Sequence, residues 1–221
     1  MPKALEKLDC PKSIRVNNPE RTIAEIIKVA SQEFASKGYA GVRIEQIAEI
    51  TLTSKRMIYY YFGGKDGLYQ KVLENAYKKI RTLESNLIVR STRPEDALKE
   101  LVEYSYDLLQ ANEEYVQIVM SENLQKGQFV SQNAVIKEMA VPLVNIIADI
   151  YRNGIRNGVF KFGLNPVEIH AFIQAMCFFN VSNQHTFGAI FNDKIAEKNG
   201  SKVQILSKSR VVELVLNFVK I

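Results

Sequence analysis

The chain has 221 residues, of which 47% are hydrophobic and 24% are charged, and its formal net charge is +5. This composition is typical of a globular protein with a substantial core, and it excludes the disordered and fibrous classes. No segment has the roughly 18 uninterrupted apolar residues of a membrane span, and the N-terminus lacks the apolar run of a signal peptide. Two cysteines do not make a disulfide framework. We therefore expect a cytoplasmic protein that does not contact membranes.

The positive charge is concentrated in the first third of the chain. Residues 1–81 carry a net charge of +6, whereas the remaining 140 residues carry −1. Basic surface supplies the salt-sensitive part of nucleic-acid affinity. A solvated lysine-rich face has the same charge, so charge alone does not indicate DNA binding.

The N-terminal segment predicts a flexible arm followed by a helix. Residues 1–18 contain two prolines and have no sustained periodicity, which is typical of a solvated arm. Asn18 as N-cap and Pro19 as first helical residue then begin a helix. Apolar residues follow at helical spacing until Gly38, so we expect this helix to end at about residue 37.

Two short helices come next and predict a helix-turn-helix. Residues 44–50 and 54–61 are separated by Thr51-Leu52-Thr53, a turn length that crosses two helices steeply. The second helix would be the recognition helix that enters the major groove.

The recognition helix carries two cations and three tyrosines. Only Ile58 and Phe62 are available to face inward, which leaves Lys55, Arg56 and the phenols on the outside. Cations and hydroxyls reach phosphate oxygens, while flat rings press on sugars and base edges. The alternative is an ordinary surface helix on which amphipathic side chains lie flat.

The rest of the chain reads as helix, without alternating strand patterns or internal repeats. The predicted segments are 65–89, 94–108, 113–124, 132–157 with a bend at Pro142, 166–184 and 202–219. We therefore predict an all-α fold of about nine helices: a three-helix head over 19–64 and a helical bundle over 65–221, connected by helix 65–89.

The sequence resembles the N-terminal signature of the TetR (tetracycline-repressor) family over roughly residues 20–70. The residues that carry the resemblance are Phe34, Gly38-Tyr39, Ile47-Ala48-Glu49, Ser54-Lys55, Ile58-Tyr59, Phe62, Lys65 and Leu68. Members of that family are homodimeric, mostly repressors, whose C-terminal bundle binds a small molecule and thereby releases DNA.

The resemblance implies DNA-contacting roles for nine residues. Ser54 would cap the recognition helix and touch a phosphate, Lys65 would reach another phosphate, and Arg43 would offer a longer-range contact. The other six are Lys55, Arg56, Met57 and Tyr60 in the major groove, with Tyr59 and Tyr61 on the backbone.

Four positions depart from the family pattern. Leu52 stands where glycine is usual, which implies either a differently shaped turn or a strained residue that costs ~1–3 kcal/mol. Arg43 replaces a capping hydroxyl residue, Tyr61 stands where histidine is common, and Arg56 where glycine is common.

A ligand cavity in the bundle is also implied by the resemblance, and its lining is inferred from residue type. The candidates are Tyr104, Met120, Phe129, Tyr151, Phe172, Met176, Phe179 and Asn180. Each aromatic or methionine residue is equally suited to plain core packing, and Asn180 to a hydrogen bond across a dimer interface. Their type indicates a mainly apolar or aromatic ligand.

No metal or cofactor site is predicted. His170 and Cys177 share one face of a helix, but no Cys/His pair has the short spacing of a structural zinc site. Cys177 is therefore expected to be a small core residue.

The leading hypothesis is a ligand-responsive transcriptional regulator, most simply a repressor. Two copies would join through helices 166–184 and 202–219 and place their recognition helices about 34–36 Å apart on a palindromic operator. One alternative is an architectural DNA-binding protein without a ligand. Another is a helical enzyme, which the lack of a nucleophile elbow, phosphate loop or paired-metal motif disfavours.

Overall fold

The structure is a computed structural model that describes residues 18–139, 141–191, 198–199 and 202–221. Apart from Asn18, the predicted arm 1–18 lies outside these residues. Among the helices that the structure describes, none is long and apolar enough to cross a membrane.

The described residues form twelve helical segments and one pair of two-residue strands, Lys198–Asn199 (β1) and Lys202–Val203 (β2). The prediction of an all-α fold is confirmed. The helices are Pro19–Gly41 (α1), Ile44–Ile50 (α2), Lys55–Phe62 (α3), Lys65–Ser85 (α4), Pro94–Ala111 (α5), Glu113–Leu124 (α6), Gln128–Ser131 (α7), Ala134–Met139 (α8), Val141–Arg156 (α9), Pro166–Ser182 (α10), Gln184–Phe191 (α11) and Lys208–Val219 (α12).

The first helix begins and ends as its sequence predicts. The Asn18 side chain accepts a hydrogen bond from the backbone N–H of Arg21 at 3.2 Å, and Pro19 follows directly. Gly38 has φ +67° and ψ 171°, so regular helical geometry stops there although a short helical stretch continues to Gly41. Only glycine adopts this backbone conformation without steric cost.

The head is not an isolated three-helix unit, because its core continues into the body. Ile26, Phe34 and Ile58 pack in the same cluster as Ile118 of α6 and Phe129 of α7. The start of α4 contributes Leu68 and Leu73 to this cluster. The head therefore sits on α6 and α7 through buried apolar contact, which makes a rigid connection.

A second core holds the body together. Leu101 of α5, Ile147 of α9, Ile173 of α10 and Val215 of α12 meet in its centre. Cys177 is buried in this cluster, as predicted, and burial raises the pKa of its thiol to about 12.

Several predicted boundaries differ from the structure. Helix α4 ends at Ser85 rather than residue 89, and the predicted helix 132–157 is divided into α8 and α9. Pro142 is the second residue of α9, where its missing N–H costs nothing, whereas inside a continuous helix its ring would clash with the preceding turn. Helices α7 and α11 lie in segments predicted as loops, because each is too short for periodicity to reveal.

Candidate nucleic-acid interface

The turn before α3 combines a helix cap with an unusual backbone. The Ser54 hydroxyl accepts a hydrogen bond from the backbone N–H of Met57 at 3.2 Å, which is the predicted cap. Leu52 has φ +49° and its side chain is 72% exposed. Of the two alternatives for Leu52, the structure therefore has the strained residue, whose left-handed conformation is unfavourable for leucine.

Helix α3 has an anchored inner side and a free outer side. Ile58 is completely buried in the head core, and Phe62 packs against that core. On the opposite side Tyr60 is 78% exposed and Tyr59 48% exposed, with Lys55 and Arg56 also in solvent. We call this outer side the α3 face.

One predicted member of the α3 face is less free than expected. Tyr61 is half-buried and packs against the head core, with its ring centroid 5.3 Å from that of Tyr60 and 6.3 Å from that of Phe62. The sequence pattern placed all three phenols in water, because it does not show that the ring of Tyr61 bends back toward Phe62. Met57 is also half-buried.

Lys55 is engaged on the surface by an acidic residue of α2. Its ammonium forms an ion pair with Glu45 and lies 5.8 Å from the centroid of the Tyr59 ring. The hydrogen bond between the pair raises the pKa of Lys55 and lowers the pKa of Glu45. Because both groups are solvent-exposed, this ion pair is weak, and Lys55 can exchange Glu45 for another anionic partner.

Lys65 is held by the protein more firmly than a solvated cation would be. Its ammonium lies 4.6 Å from the centroid of the Tyr39 ring and donates to the carbonyl oxygen of Ala40 at 3.5 Å. Burial lowers the pKa of this lysine. Arg43, in contrast, is exposed at the N-cap of α2 and makes no capping hydrogen bond through its side chain.

A hydrogen-bond link between head and body was not predicted from sequence. The Ser121 hydroxyl of α6 accepts a hydrogen bond from the backbone N–H of Tyr39 at 3.0 Å and one from the Tyr69 hydroxyl at 3.4 Å. The rings of Tyr39 and Tyr69 also pack with those of Phe34 and Phe129. The two hydrogen bonds join residues 82 and 52 positions apart, so no local pattern indicates them.

The eight predicted ligand-lining residues do not share one cavity. Phe129 belongs to the head core, whereas Met120 and Phe179 are partly exposed at the surface, at 39% and 37%. Asn180 is fixed within the chain: its side-chain oxygen accepts from the backbone N–H of Leu206 at 2.7 Å, and its amide donates to the carbonyl oxygen of Met176 at 2.9 Å. A role for Asn180 across a dimer interface is accordingly disfavoured.

The other predicted lining residues are also separated. Tyr151 donates to the carbonyl oxygen of Lys161 at 2.8 Å at the far end of α9, and Phe172 stacks on Phe218 with centroids 4.5 Å apart. Met176 packs against the body core. Tyr104 donates to the carbonyl oxygen of Leu83 near the end of α4.

A group of polar side chains lies inside the body close to Tyr104. Arg81 and Glu84 of α4 form an ion pair, with side-chain exposures of only 16% and 9%. The positive charge of Arg81 interacts electrostatically with Tyr77 of α4, Tyr115 of α6 and His170 of α10. We call these five residues the polar cluster. Sequence analysis noted His170 alone, since the others come from distant segments.

Both parts of the chain match known protein families. Residues 26–72 match the model described as bacterial regulatory proteins, tetR family, and residues 94–204 match the model described as tetracyclin repressor-like, C-terminal domain. The chain is similar to the HTH-type transcriptional repressor NicS of Pseudomonas putida, with 32% identity over 185 residues that cover 84% of this chain and 87% of that protein.

Solved structures have the same fold. The ketosteroid transcriptional regulator KstR2 of Mycobacterium tuberculosis superimposes with a TM-score of 0.65 at 17% identity, covering 94% of this chain and 97% of that chain. A regulatory protein in the tetR family from Rhodococcus RHA1 superimposes with a TM-score of 0.68 at 17% identity, covering 90% and 97%. At these identities the likeness concerns the arrangement of helices alone.

Proposed function

The chain belongs to the TetR family and is a transcriptional regulator, and from that premise we propose that it is a homodimeric repressor that a small molecule releases from a palindromic operator. Its place of action is then the bacterial cytoplasm, where the chromosome lies. The observation that carries the proposal is the α3 face, a solvent-exposed surface of cations and phenols on a helix whose other side is anchored.

The geometry of α3 supports its role as the recognition helix. Ile58 fixes the helix axis on the head core, while most of the Tyr60 side chain is in solvent. A side chain that is 78% exposed on a rigid helix is preorganised to reach base edges in the major groove. Tyr59 and the half-buried Tyr61 are then placed for the sugar-phosphate backbone.

Cations around the α3 face would supply the phosphate contacts. Arg43 and Arg56 are exposed, and Ser54 presents a hydroxyl at the helix N-terminus, where backbone N–H groups favour anions. Lys55 would exchange the Glu45 carboxylate for a phosphate. Lys65 would contact DNA only at the expense of its contact with Tyr39, so its main role is to position the start of α4.

An exposed apolar stripe on α10 supports the homodimer. Val167, Ala171, Ala175 and Phe179 follow each other at intervals of four residues and all are exposed, so they form one line along the helix. The opposite side of α10 is buried in the body core. Small alanines in the middle of the stripe allow two helices to approach closely, and a second copy of the same stripe is the natural partner in a two-fold dimer.

The effector would act through the helix that joins the two parts of the protein. Only Gly63 and Gly64 separate helix α4 from the end of α3, and α4 extends to the polar cluster inside the body. A molecule that binds in the body releases DNA only if it prefers a conformation in which the two recognition helices no longer fit the operator.

The proposal is tested by replacing Tyr60 with alanine. We expect Tyr60→Ala to lose affinity for DNA upstream of the protein's own gene by about 1–3 kcal/mol, since that is the discrimination typical of one base-reading side chain. Binding to unrelated DNA should change little. Gel shifts with both DNA sequences measure the two affinities.

The control is Phe162→Ala, which removes an aromatic ring that is 91% exposed in the loop between α9 and α10. This variant should bind both DNA sequences like the wild type. Equal binding of specific DNA by Tyr60→Ala and wild type would show that α3 does not read the operator.

A further inference from the structure

The polar cluster places charged and hydrogen-bonding groups where a helical bundle normally has apolar side chains. The side chains of Arg81 and Glu84 are largely buried, so solvent competes little for their ion pair. Isolated buried ion pairs contribute little stability compared with apolar side chains of the same volume. Stability alone therefore does not explain why Arg81 and Glu84 lie here, and a functional role does.

Two nitrogens of the cluster are buried and have no hydrogen-bond partner among the described residues: Nε of Arg81 and Nδ1 of His170. Leaving a buried polar group unpaired costs about 1–3 kcal/mol. The Nε atom of arginine is a donor only, so its partner must present an acceptor. These two atoms come from α4 and α10, and a bound molecule could supply the partner that each of them lacks.

The remaining groups make the cluster rich in donors. The phenols of Tyr77 and Tyr115 lie edge to face with centroids 5.5 Å apart, and burial raises the pKa of both, so they remain protonated donors. Burial also raises the pKa of Glu84 despite the adjacent Arg81, and it lowers the pKa of His170. Glu84 is the one carboxylate of the cluster, and it is already paired.

The walls near the ion pair are apolar and tightly closed. A cavity of about 60 Å³ adjoins Arg81 and Glu84 and is lined on the α9 side by Pro142, Leu143 and Ile146. Cavities that hold a benzene ring measure about 150 Å³. An aromatic ring therefore enters only if α4 and α9 move apart, and α4 leads directly to the recognition helix.

We propose that the polar cluster is the effector site and that it takes a small aromatic molecule bearing an acceptor oxygen, a carbonyl or a carboxylate, which Arg81 and His170 bind. This inference rests on the proposed function, since it names the class of effector for the same regulator. The apolar walls of the cavity hold the aromatic ring, while the unpaired Nε–H of Arg81 selects the oxygen.

Three probes that share a benzene ring test the chemistry on the full-length protein: benzamide, benzoate and toluene. We expect benzamide or benzoate to raise the melting temperature by about 3–6 °C at ten times its dissociation constant and to weaken binding to the upstream DNA. Toluene, which has the ring without the oxygen, should do neither. A response to benzamide indicates a neutral effector, and a response to benzoate indicates an anionic one.

The variant Arg81→Met/Glu84→Leu removes the donors and the carboxylate together, so that no unpaired charge is left in the core. It should keep the wild-type affinity for DNA and lose at least about 10-fold in affinity for the active probe, as expected for a lost charge-assisted hydrogen bond. The matched control is Asp149→Leu/Arg152→Met, which removes an exposed Asp–Arg pair three residues apart on α9 and should respond to probes like the wild type.

The outcomes separate this inference from the proposed function. If the wild-type protein does not bind the upstream DNA specifically, the proposed function is wrong. Intact DNA binding with no response to benzamide or benzoate, with an equal response to toluene, or with an unchanged response in the Arg81/Glu84 variant would reject the effector site.

Discussion

At the scale of single residues, the turn before α3 shows how one position is kept in an unfavourable conformation. Leu52 has φ +49°, yet its side chain is mostly in solvent and contributes little burial in return. Neighbouring hydrogen bonds hold it: the hydroxyl of Thr51 donates to the carbonyl oxygen of Ile47 at 2.7 Å, and the backbone N–H of Thr53 donates to that of Ala48 at 3.0 Å. The surrounding turn therefore imposes the strain on Leu52.

Replacing Leu52 with glycine should stabilise the protein. Glycine removes a steric cost of about 1–2 kcal/mol from the folded state. The greater conformational freedom of glycine in the unfolded chain lowers the free energy of unfolding by about 0.4–1 kcal/mol. The net gain of about 0.5–1 kcal/mol corresponds to a rise in melting temperature of about 1–4 °C, which differential scanning calorimetry measures.

Leu52→Ala is the control for this prediction, because alanine shortens the exposed side chain without removing the steric cost of the left-handed backbone. It should not be more stable than the wild type. A glycine variant no more stable than the alanine variant would show that Leu52 is unstrained.

At the scale of elements, the junction between α3 and α4 determines how the recognition helix is presented. Gly63 ends α3, and Gly67 lies in the first turn of α4. A Cβ atom at position 67 would lie 1.9 Å from the carbonyl oxygen of Phe62. The two helices therefore pack backbone against backbone at this point, which couples the direction of α3 to that of α4.

Gly67→Ala should disturb this junction. The added methyl group collides with backbone that has no side-chain freedom to move aside, so we expect a loss of about 1–3 kcal/mol in the free energy of unfolding and at least 10-fold weaker operator binding, as about 1.4 kcal/mol implies. Urea unfolding and gel shifts measure the two effects.

Gly41→Ala serves as the comparison within the head. Its Cβ atom would approach only the side chain of Lys37, at 3.1 Å. It should keep operator binding close to wild type. Equal binding by the two glycine variants would mean that the α3–α4 contact does not control the recognition helix.

At the scale of the whole molecule, two hydrophobic cores are joined through α4 and α6. Ser121 of α6 contacts the head through Tyr39 and Tyr69, while Tyr115, two turns earlier on the same helix, belongs to the polar cluster. We therefore expect a displacement inside the body to reach the head through these packed helices, since close-packed interiors deform little.

The proposed homodimer should dissociate when a charge enters the α10 stripe. Because a two-fold interface presents the same position twice, Ala175→Arg places two unpaired charges in apolar surroundings, which costs several kcal/mol. We expect the dissociation constant of the dimer to rise by at least about 100-fold, and sedimentation velocity measures it. Ala24→Arg, on the exposed side of α1, should remain dimeric, whereas a dimeric Ala175→Arg would place the interface elsewhere.

Local sequence patterns were sufficient for most of the helices and for the exposed position of the side chains on the α3 face. The cap at Ser54, the end of regular helix at Gly38 and the inward position of Ile58 each depend on a few neighbouring residues. Hydrophobic periodicity and capping express interactions within one or two turns, so they are visible without tertiary information.

Contacts between distant segments were not accessible in that way. The inward turn of Tyr61, the cation–π contact of Lys65 and the Ser121 link depend on where other helices lie. The same holds for the interior of the body: the eight side chains selected by residue type lie in separate places, whereas Arg81 and Glu84 of α4, which residue type did not select, form a largely buried ion pair. A pocket is defined by which helices meet, and that depends on the summed packing of the whole bundle rather than on any stretch of residues.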